Sequence, residues 1–129
     1  MFSHLMIGAR DIPEAKAFYD AALGTLGAAP GIIDPRGRAI YRHHGGTLMV
    51  TIPIDGEPAT HANGGTIGFA AAGPAEVDAF YAAALACGGA PCAHAPETRD
   101  TPSGTLYVGY LRDPTGNKLC IVHRTAPAT

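Results

Sequence analysis

The chain repeats itself, and that duplication constrains its fold more than any other feature. Glu14-Ala-Lys-Ala-Phe-Tyr-Asp-Ala-Ala-Leu returns 62 positions later as Glu76-Val-Asp-Ala-Phe-Tyr-Ala-Ala-Ala-Leu. At the same offset, the strand-like run from His4 to Ala9 lies over Thr66 to Ala71, and Gly27-Ala28 lies over Gly89-Ala90. A strand and a helix therefore recur together and in order. A repeat unit of about sixty residues cannot bury a face alone, so the two copies must pack on each other and any ligand cleft belongs between them.

Local signals place the elements. Residues 3–9 read as a strand. Asp11 is a good helix N-cap, Pro13 suits a first helical turn, and Glu14 three residues after the cap predicts a capping box. Ala15, Phe18, Tyr19, Ala22, Leu23 and Leu26 then recur at helical spacing up to Gly24 and Gly27. The second copy has Pro74 at its start, the stripe Val77, Phe80, Tyr81, Ala84 and Leu85, and Gly88-Gly89 at its end. Helical periodicity makes both stripes core rather than a cofactor platform. Three strands follow each helix, near 28–33, 38–43 and 47–54, then near 90–94, 105–111 and 118–123. This predicts βαβββ twice. Aligning Gly45 with Gly116 lays Gly46-Thr-Leu-Met-Val over Asn117-Lys-Leu-Cys-Ile at an offset of 71, so the second copy carries nine extra residues, expected as a loop over 96–104. The whole reads as one domain over 1–129, with module 1 at about 1–54, a turn-rich linker at 55–65 and module 2 at about 66–124.

Strand residues alternate faces. The apolar rows Leu5 and Ile7, Ile67 and Phe69, Leu48, Val50 and Ile52, and Leu119 and Ile121 should meet the helices. The opposite rows mix small, polar and sulfur-bearing side chains and suit a cleft. His4, Met49, Thr66 and Cys120 stand on those rows, related in pairs by the repeat, and are expected to converge on the seam.

Composition narrows the partners. The formal net charge is −2 and the few Lys and Arg are scattered, which argues against a nucleic-acid or anionic-membrane footprint and leaves small solutes. No apolar run approaches a membrane span. Cys87, Cys92 and Cys120 lack the spacing of a zinc ribbon or a disulfide framework and suit reduced thiols, so a cytoplasmic location is expected.

With paired βαβββ modules, His4-Leu-Met-Ile, the Phe-Tyr-x-x-x-Leu helix ending and Arg112-Asp-Pro-Thr-Gly-Asn-Lys-Leu near the C-terminus, the chain resembles the vicinal oxygen chelate superfamily, which includes glyoxalase I, bleomycin-resistance proteins and extradiol dioxygenases. The resemblance implies an α+β fold, two paired βαβββ modules forming a curved mixed sheet around a central cleft, and a homodimer. It also implies lyase, isomerase or dioxygenase-like chemistry at divalent-metal ligands on the inward positions of the first and last strands. Those positions are again His4, Met49, Thr66 and Cys120. His4 alone has a usual ligand type, and no carboxylate stands among the four. A thioether and a neutral hydroxyl are poor ligands for Ni, Mn or Fe. Any metal at His4 would sit in an incomplete site, and no cofactor is expected. Cys120 reads as a nucleophile or soft ligand if Lys118 or His4 lowers its pKa, and otherwise as a small buried hydrophobe. His43 and His44 in a turn, and His61 in the linker, would act as acid or base only by reaching over the cleft. Two functions remain open: a glyoxalase-like protein acting on or binding a small metabolite between the modules, or a non-catalytic, drug-sequestering binder of the bleomycin-resistance type.

Overall fold

The structure, a computed structural model, describes residues 1–125; the last four residues of the expected domain lie outside them. The first half runs β1 (Leu5–Gly8), α1 (Ile12–Gly24), β2 (Ile32–Ile33), β3 (Ala39–His43) and β4 (Gly46–Thr51). The second runs β5 (Ile67–Ala70), α2 (Pro74–Ala86), β6 (Ala90–Pro91), β7 (Glu97–Thr101), β8 (Gly104–Arg112) and β9 (Lys118–Thr125). These make two mixed sheets, one in the order β1-β4-β3-β2 and one in the order β5-β9-β8-β6, with β7 also on β8. The α+β fold with its paired modules is as expected, but the strands form two sheets rather than one.

The duplication is visible in the pairing register. Parallel β1 and β4 set Leu5 beside Leu48 and Met6 beside Met49, while parallel β5 and β9 set Ile67 beside Leu119 and Gly68 beside Cys120. These are the same pairs that the offsets of 62 and 71 superimpose. Alternation also holds, because Leu48, Val50, Leu119 and Ile121 are buried while Met49 and Cys120 on the other row are only half-buried.

One expectation changes. The nine extra residues of the second copy form not a loop but most of β7, antiparallel to β8 from Glu97 opposite Val108 to Thr101 opposite Gly104. The second half is therefore βαββββ. Glu97-Thr-Arg-Asp-Thr has no apolar alternation, and backbone pairing with β8 alone makes it a strand. It shares one edge of β8 with β6, and between the two Pro96 crosses Gly109 so closely that a Cβ there would lie 3.0 Å from the proline ring.

The helices start differently. Asp11 caps α1 by accepting from the Glu14 N–H at 2.7 Å. The Glu14 carboxylate does not return the bond, however, because Arg10 takes both its oxygens at 2.7 and 3.0 Å and holds its carboxyl below the usual range. In α2 the cap is Gly73, which has no side chain, and Glu76 accepts from the Ala72 N–H at 3.0 Å. The first copy keeps the side-chain cap of the box, while in the second the first-turn acid reaches back past the cap to Ala72. Both helices end where glycine turns into the left-handed region, Gly27 at φ +93° and Gly88 at φ +101°.

Both halves contribute to one hydrophobic cluster. Phe18 and Tyr19 from α1 and Phe80 from α2 are wholly buried in it with Val50, Leu111, Leu119 and Ile121. The polar joint between the halves lies beside that cluster. Asp113, 4 % exposed, accepts from the N–H groups of Thr115, Gly116 and Asn117 through one oxygen and from the Tyr19 hydroxyl and the Asn117 amide through the other, all at 2.7–3.0 Å. Asn117 uses its second amide hydrogen on the Gly8 carbonyl, and Thr115 Oγ1 accepts from the Arg10 N–H. Burial, followed by the charge of Asp113, keeps the Tyr19 hydroxyl protonated well above its ordinary range.

Removing either partner leaves a buried polar group short of hydrogen bonds. Tyr19→Phe should cost roughly 1–3 kcal/mol and Asp113→Ala roughly 2–4 kcal/mol, read by denaturant unfolding. Phe18→Ala and Phe80→Ala should each cost roughly 3–5 kcal/mol. All four should shift a single cooperative transition; two separate transitions would show that the halves fold independently.

Candidate functional site

A cavity of about 520 Å³ is walled by both halves. From the first half come Leu5, Leu48 and Tyr41 on the helix-facing side of their sheet, with Leu23 and Leu26 at the end of α1. From the second come the edge strand β5 and the loop into α2, with Ile67 and Phe69 as the larger apolar groups. Apolar surface dominates, and the polar groups are few: Tyr41, His43, His44, Thr47 and Glu76.

Each polar group is held by local structure. His44 and Gly45 form the two-residue turn between β3 and β4, both in the left-handed region, with His43 opposite Gly46. His43 donates from Nε2 to the Leu26 carbonyl at 3.1 Å, and the two imidazoles lie 3.9 Å apart, centroid to centroid. Tyr41 donates to Asp20 at 2.7 Å, and the same carboxylate accepts from the Gly31 N–H and binds Lys16. Burial alone would push the Asp20 carboxyl up, yet these bonds hold it below its ordinary value, while burial and Asp20 push Tyr41 far up. That wall is therefore rigid and uncharged at the tyrosine.

None of the four residues selected from the sequence lines this cavity. His4 is exposed just before β1, its Nδ1 2.7 Å from Ser3 Oγ. Met49 is half-buried in the middle of β4, beside Met6. Thr66 is exposed just before β5, and Cys120 is half-buried on β9 between Gly68 and Tyr110. The structure thus places Met49 in one sheet and Cys120 in the other, with His4 and Thr66 just ahead of β1 and β5, and among the described residues no hydrogen bond joins the first pair to the second. Around Cys120, the Tyr110 ring meets His94 edge-on at 5.2 Å and carries Lys118 Nζ 5.0 Å from its centroid. Burial raises the Cys120 thiol pKa, outweighing the Tyr110 hydrogen bond and the charges of Arg99 and Lys118 that act to lower it. The thiol is held protonated, as a small half-buried side chain rather than an activated nucleophile.

The donor chemistry does not fit a divalent metal. Among the described residues no three of His, Cys, Asp or Glu come together as a ligand set, and His4 stands with a thioether, a hydroxyl and a protonated thiol as its counterparts. The sequence pointed to His43 and His44 as candidates and to the row of Thr47 as suited to a cleft, but not to Glu76, which looks like an ordinary first-turn acid and carries no sequence signal of its own.

The comparisons agree with this architecture. The family model described as Glyoxalase/Bleomycin resistance protein/Dioxygenase superfamily matches residues 1–121, and the chain belongs to that superfamily. A crystal structure of a glyoxalase/bleomycin resistance protein from Albidiferax ferrireducens T118 is 53 % identical with TM-score 0.92, covering 96 % of this chain and 99 % of that one. A glyoxalase/bleomycin resistance protein/dioxygenase family enzyme from Burkholderia phytofirmans PsJN shares the fold at 20 % identity and TM-score 0.73, covering 95 % and 98 %. A glyoxalase-related enzyme from Fulvimarina pelagi does so at 20 % and 0.71, covering 96 % and 88 %. No curated protein matches the chain.

The three free cysteines should differ in reactivity. In timed alkylation with iodoacetamide at neutral pH, followed by mass spectrometry, exposed Cys87 should label first and Cys120 much more slowly. Labelling of Cys120 as fast as Cys87 would contradict a protonated, half-buried thiol.

Proposed function

We propose that this superfamily member captures a small, mainly apolar metabolite in the cavity between its two halves. The observation that carries the reading is that cavity: its volume of about 520 Å³ is in the range of small-molecule sites, its lining is apolar with a few fixed polar groups, and both halves wall it. The donor chemistry favours sequestration, as in the bleomycin-resistance branch, over enediolate catalysis. Glyoxalase-type turnover needs a Lewis acid and a carboxylate placed to move a carbon-bound proton. Neither the strand-face row His4, Met49, Thr66 and Cys120 nor its neighbours supply that pair. Those four residues do not wall the cavity, and His4 is the one among them with a usual metal-ligand side chain.

A second reading has its own observation. His43, His44 and Glu76 place two imidazoles and a carboxylate on the wall of the same cavity, and such groups can move a proton without a metal. The two readings separate by turnover of the bound molecule.

Pairing of copies belongs to this proposal. Phe2, Met6, Ile32, Ile33, Ile52 and Ile54 are exposed large apolar residues, more than a small soluble domain needs to show, and a homodimer would cover part of them. The free cysteines suit a reducing cytoplasm, and no helix among the described residues is long and apolar enough to cross a membrane.

A nuclear magnetic resonance screen of small dicarbonyls, phenols and glycopeptide drugs should shift the amides of Leu26, Thr47, Phe69 and Ala72 first. Ala70→Trp, which fills the cavity from an exposed position, should abolish the binding with little change in melting temperature. Shifts confined to the outer faces of the helices would sink the assignment. Protein purified without a histidine tag should carry much less than one transition metal per chain and show negligible isomerase activity on the hemithioacetal of methylglyoxal and glutathione. It should sediment as a dimer. Stoichiometric metal whose affinity falls in His4→Ala would replace the binder with a metalloenzyme.

A further inference from the structure

A second, smaller recess of about 210 Å³ opens where the linker meets the start of β9, and it shares no lining residue with the larger cavity. Its walls are His61, Asn63, the Gly64-Gly65 pair, Thr66, Arg112 and Lys118. Two cations, an imidazole, an amide and a hydroxyl face one space, and no carboxylate lines it. In a chain of net charge −2 that concentration of positive charge is not a consequence of composition.

The pairing register sharpens the point. Arg112 and Lys118 are direct cross-strand neighbours on antiparallel β8 and β9. Like charges in that position repel unless something between them neutralises the pair. The protein does not provide it. Among the described residues Arg10, Lys16, Arg38 and Arg99 have acidic partners; Arg112 and Lys118 have none, as is true of Arg36, Arg42 and Arg124, but only Arg112 and Lys118 share a recess. The nearest acid in sequence, Asp113, has both oxygens committed to its own turn and to Tyr19.

Both cations are nevertheless positioned. Arg112 donates one Nη1–H to the Gly116 carbonyl at 2.8 Å, which fixes the guanidinium plane. Its other N–H groups meet no described protein acceptor. Lys118 Nζ is held over the Tyr110 ring. Opposite them, the turn that bonds the Gly65 N–H to the Ala62 carbonyl brings Asn63 and the left-handed Gly64 to the rim next to Thr66. A planar guanidinium, an ammonium, a hydroxyl and an amide around one small volume are the donors that a compact oxyanion uses.

We infer that this recess binds the phosphate or carboxylate group of a small anionic metabolite, with Arg112 and Lys118 as the charged clamp and Thr66 and Asn63 as neutral donors. The site stands apart from the apolar cavity and is tested independently of it.

The test uses the full chain and titrates inorganic phosphate, acetate and neutral acetamide while following backbone amides. Phosphate or acetate should shift Gly64, Gly65, Thr66 and Lys118 saturably, acetamide should not, and the affinity should fall as sodium chloride rises. Phosphate binding tighter than acetate would mark a phosphorylated ligand, and the reverse a carboxylated one; either supports the inference. Lys118→Met should weaken binding about tenfold or more, the loss expected for one charge-assisted contact. Lys118→Arg should retain binding, and an unchanged melting temperature in both variants separates loss of the anion from loss of the fold. Three results overturn the inference: no saturable shift with either anion, equal binding in Lys118→Met, or a Lys118→Met variant that changes the association of copies while anion binding stays the same.

Discussion

One buried carboxylate holds the two halves in place. Asp113 stands in the turn between β8 and β9, and each of its hydrogen-bond partners either shapes that turn or reaches into the first half. Five donors around one buried anion make a joint that tolerates little displacement, because every lost bond leaves charge uncompensated in a medium of low polarity. The bond from Asn117 to the Gly8 carbonyl sets the end of β1 against the turn, and the bond from Tyr19 sets α1. Apolar packing of Phe18, Phe80 and their neighbours supplies most of the cohesion. The polar joint selects which of the many packings of two amphipathic modules is adopted.

Selecting that packing also creates the sites. The large cavity exists because β5 and the start of α2 stand off from the helix-facing side of the first sheet instead of closing on it. The smaller recess exists because the linker must cross the Asp113 turn on its way from β4 to β5, which brings His61 against Gly116. The two spaces differ in chemistry: one apolar with a rigid tyrosine and imidazole wall, the other cationic. Neither space belongs to one copy alone: the first is walled by both halves, the second by the linker and the second half.

Much of this was legible in the residues. The helix stripes, the glycine stops and the facing of Leu48, Val50, Leu119 and Ile121 follow from periodicity, which is a local property. The equivalence of Leu5 with Ile67 and of Leu48 with Leu119 followed from aligning the copies, whereas the parallel pairing of β1 with β4 and of β5 with β9 did not. What local reasoning missed had non-local causes. β7 is a strand because β8 offers it an edge, and Glu97-Thr-Arg-Asp-Thr shows no alternation to reveal that. The capping box was read as complete in α1, but Arg10 competes for Glu14. Alternation correctly put Met49 and Cys120 on the row facing away from the helices, yet it cannot tell whether two sheets turn those rows toward each other. Leu26, Thr47 and Glu76 meet across one space only after α1 and α2 have packed, and nothing in their own neighbourhoods announces it.

The polar strand β7 has a consequence for how copies of the chain can meet. A sheet edge is a template for a further strand, and a row of charges is among the surest ways to blunt it. Glu97, Arg99 and Asp100 place alternating charges along the outer edge of the second sheet, and β2, only two residues long, offers little on the outer edge of the first. The edges left open are β1 and β5, four residues each, both bordering the large cavity. Strand addition is thereby blunted at the periphery of both sheets, and the edges that could still accept a strand lie on the flank that also opens into the cavity.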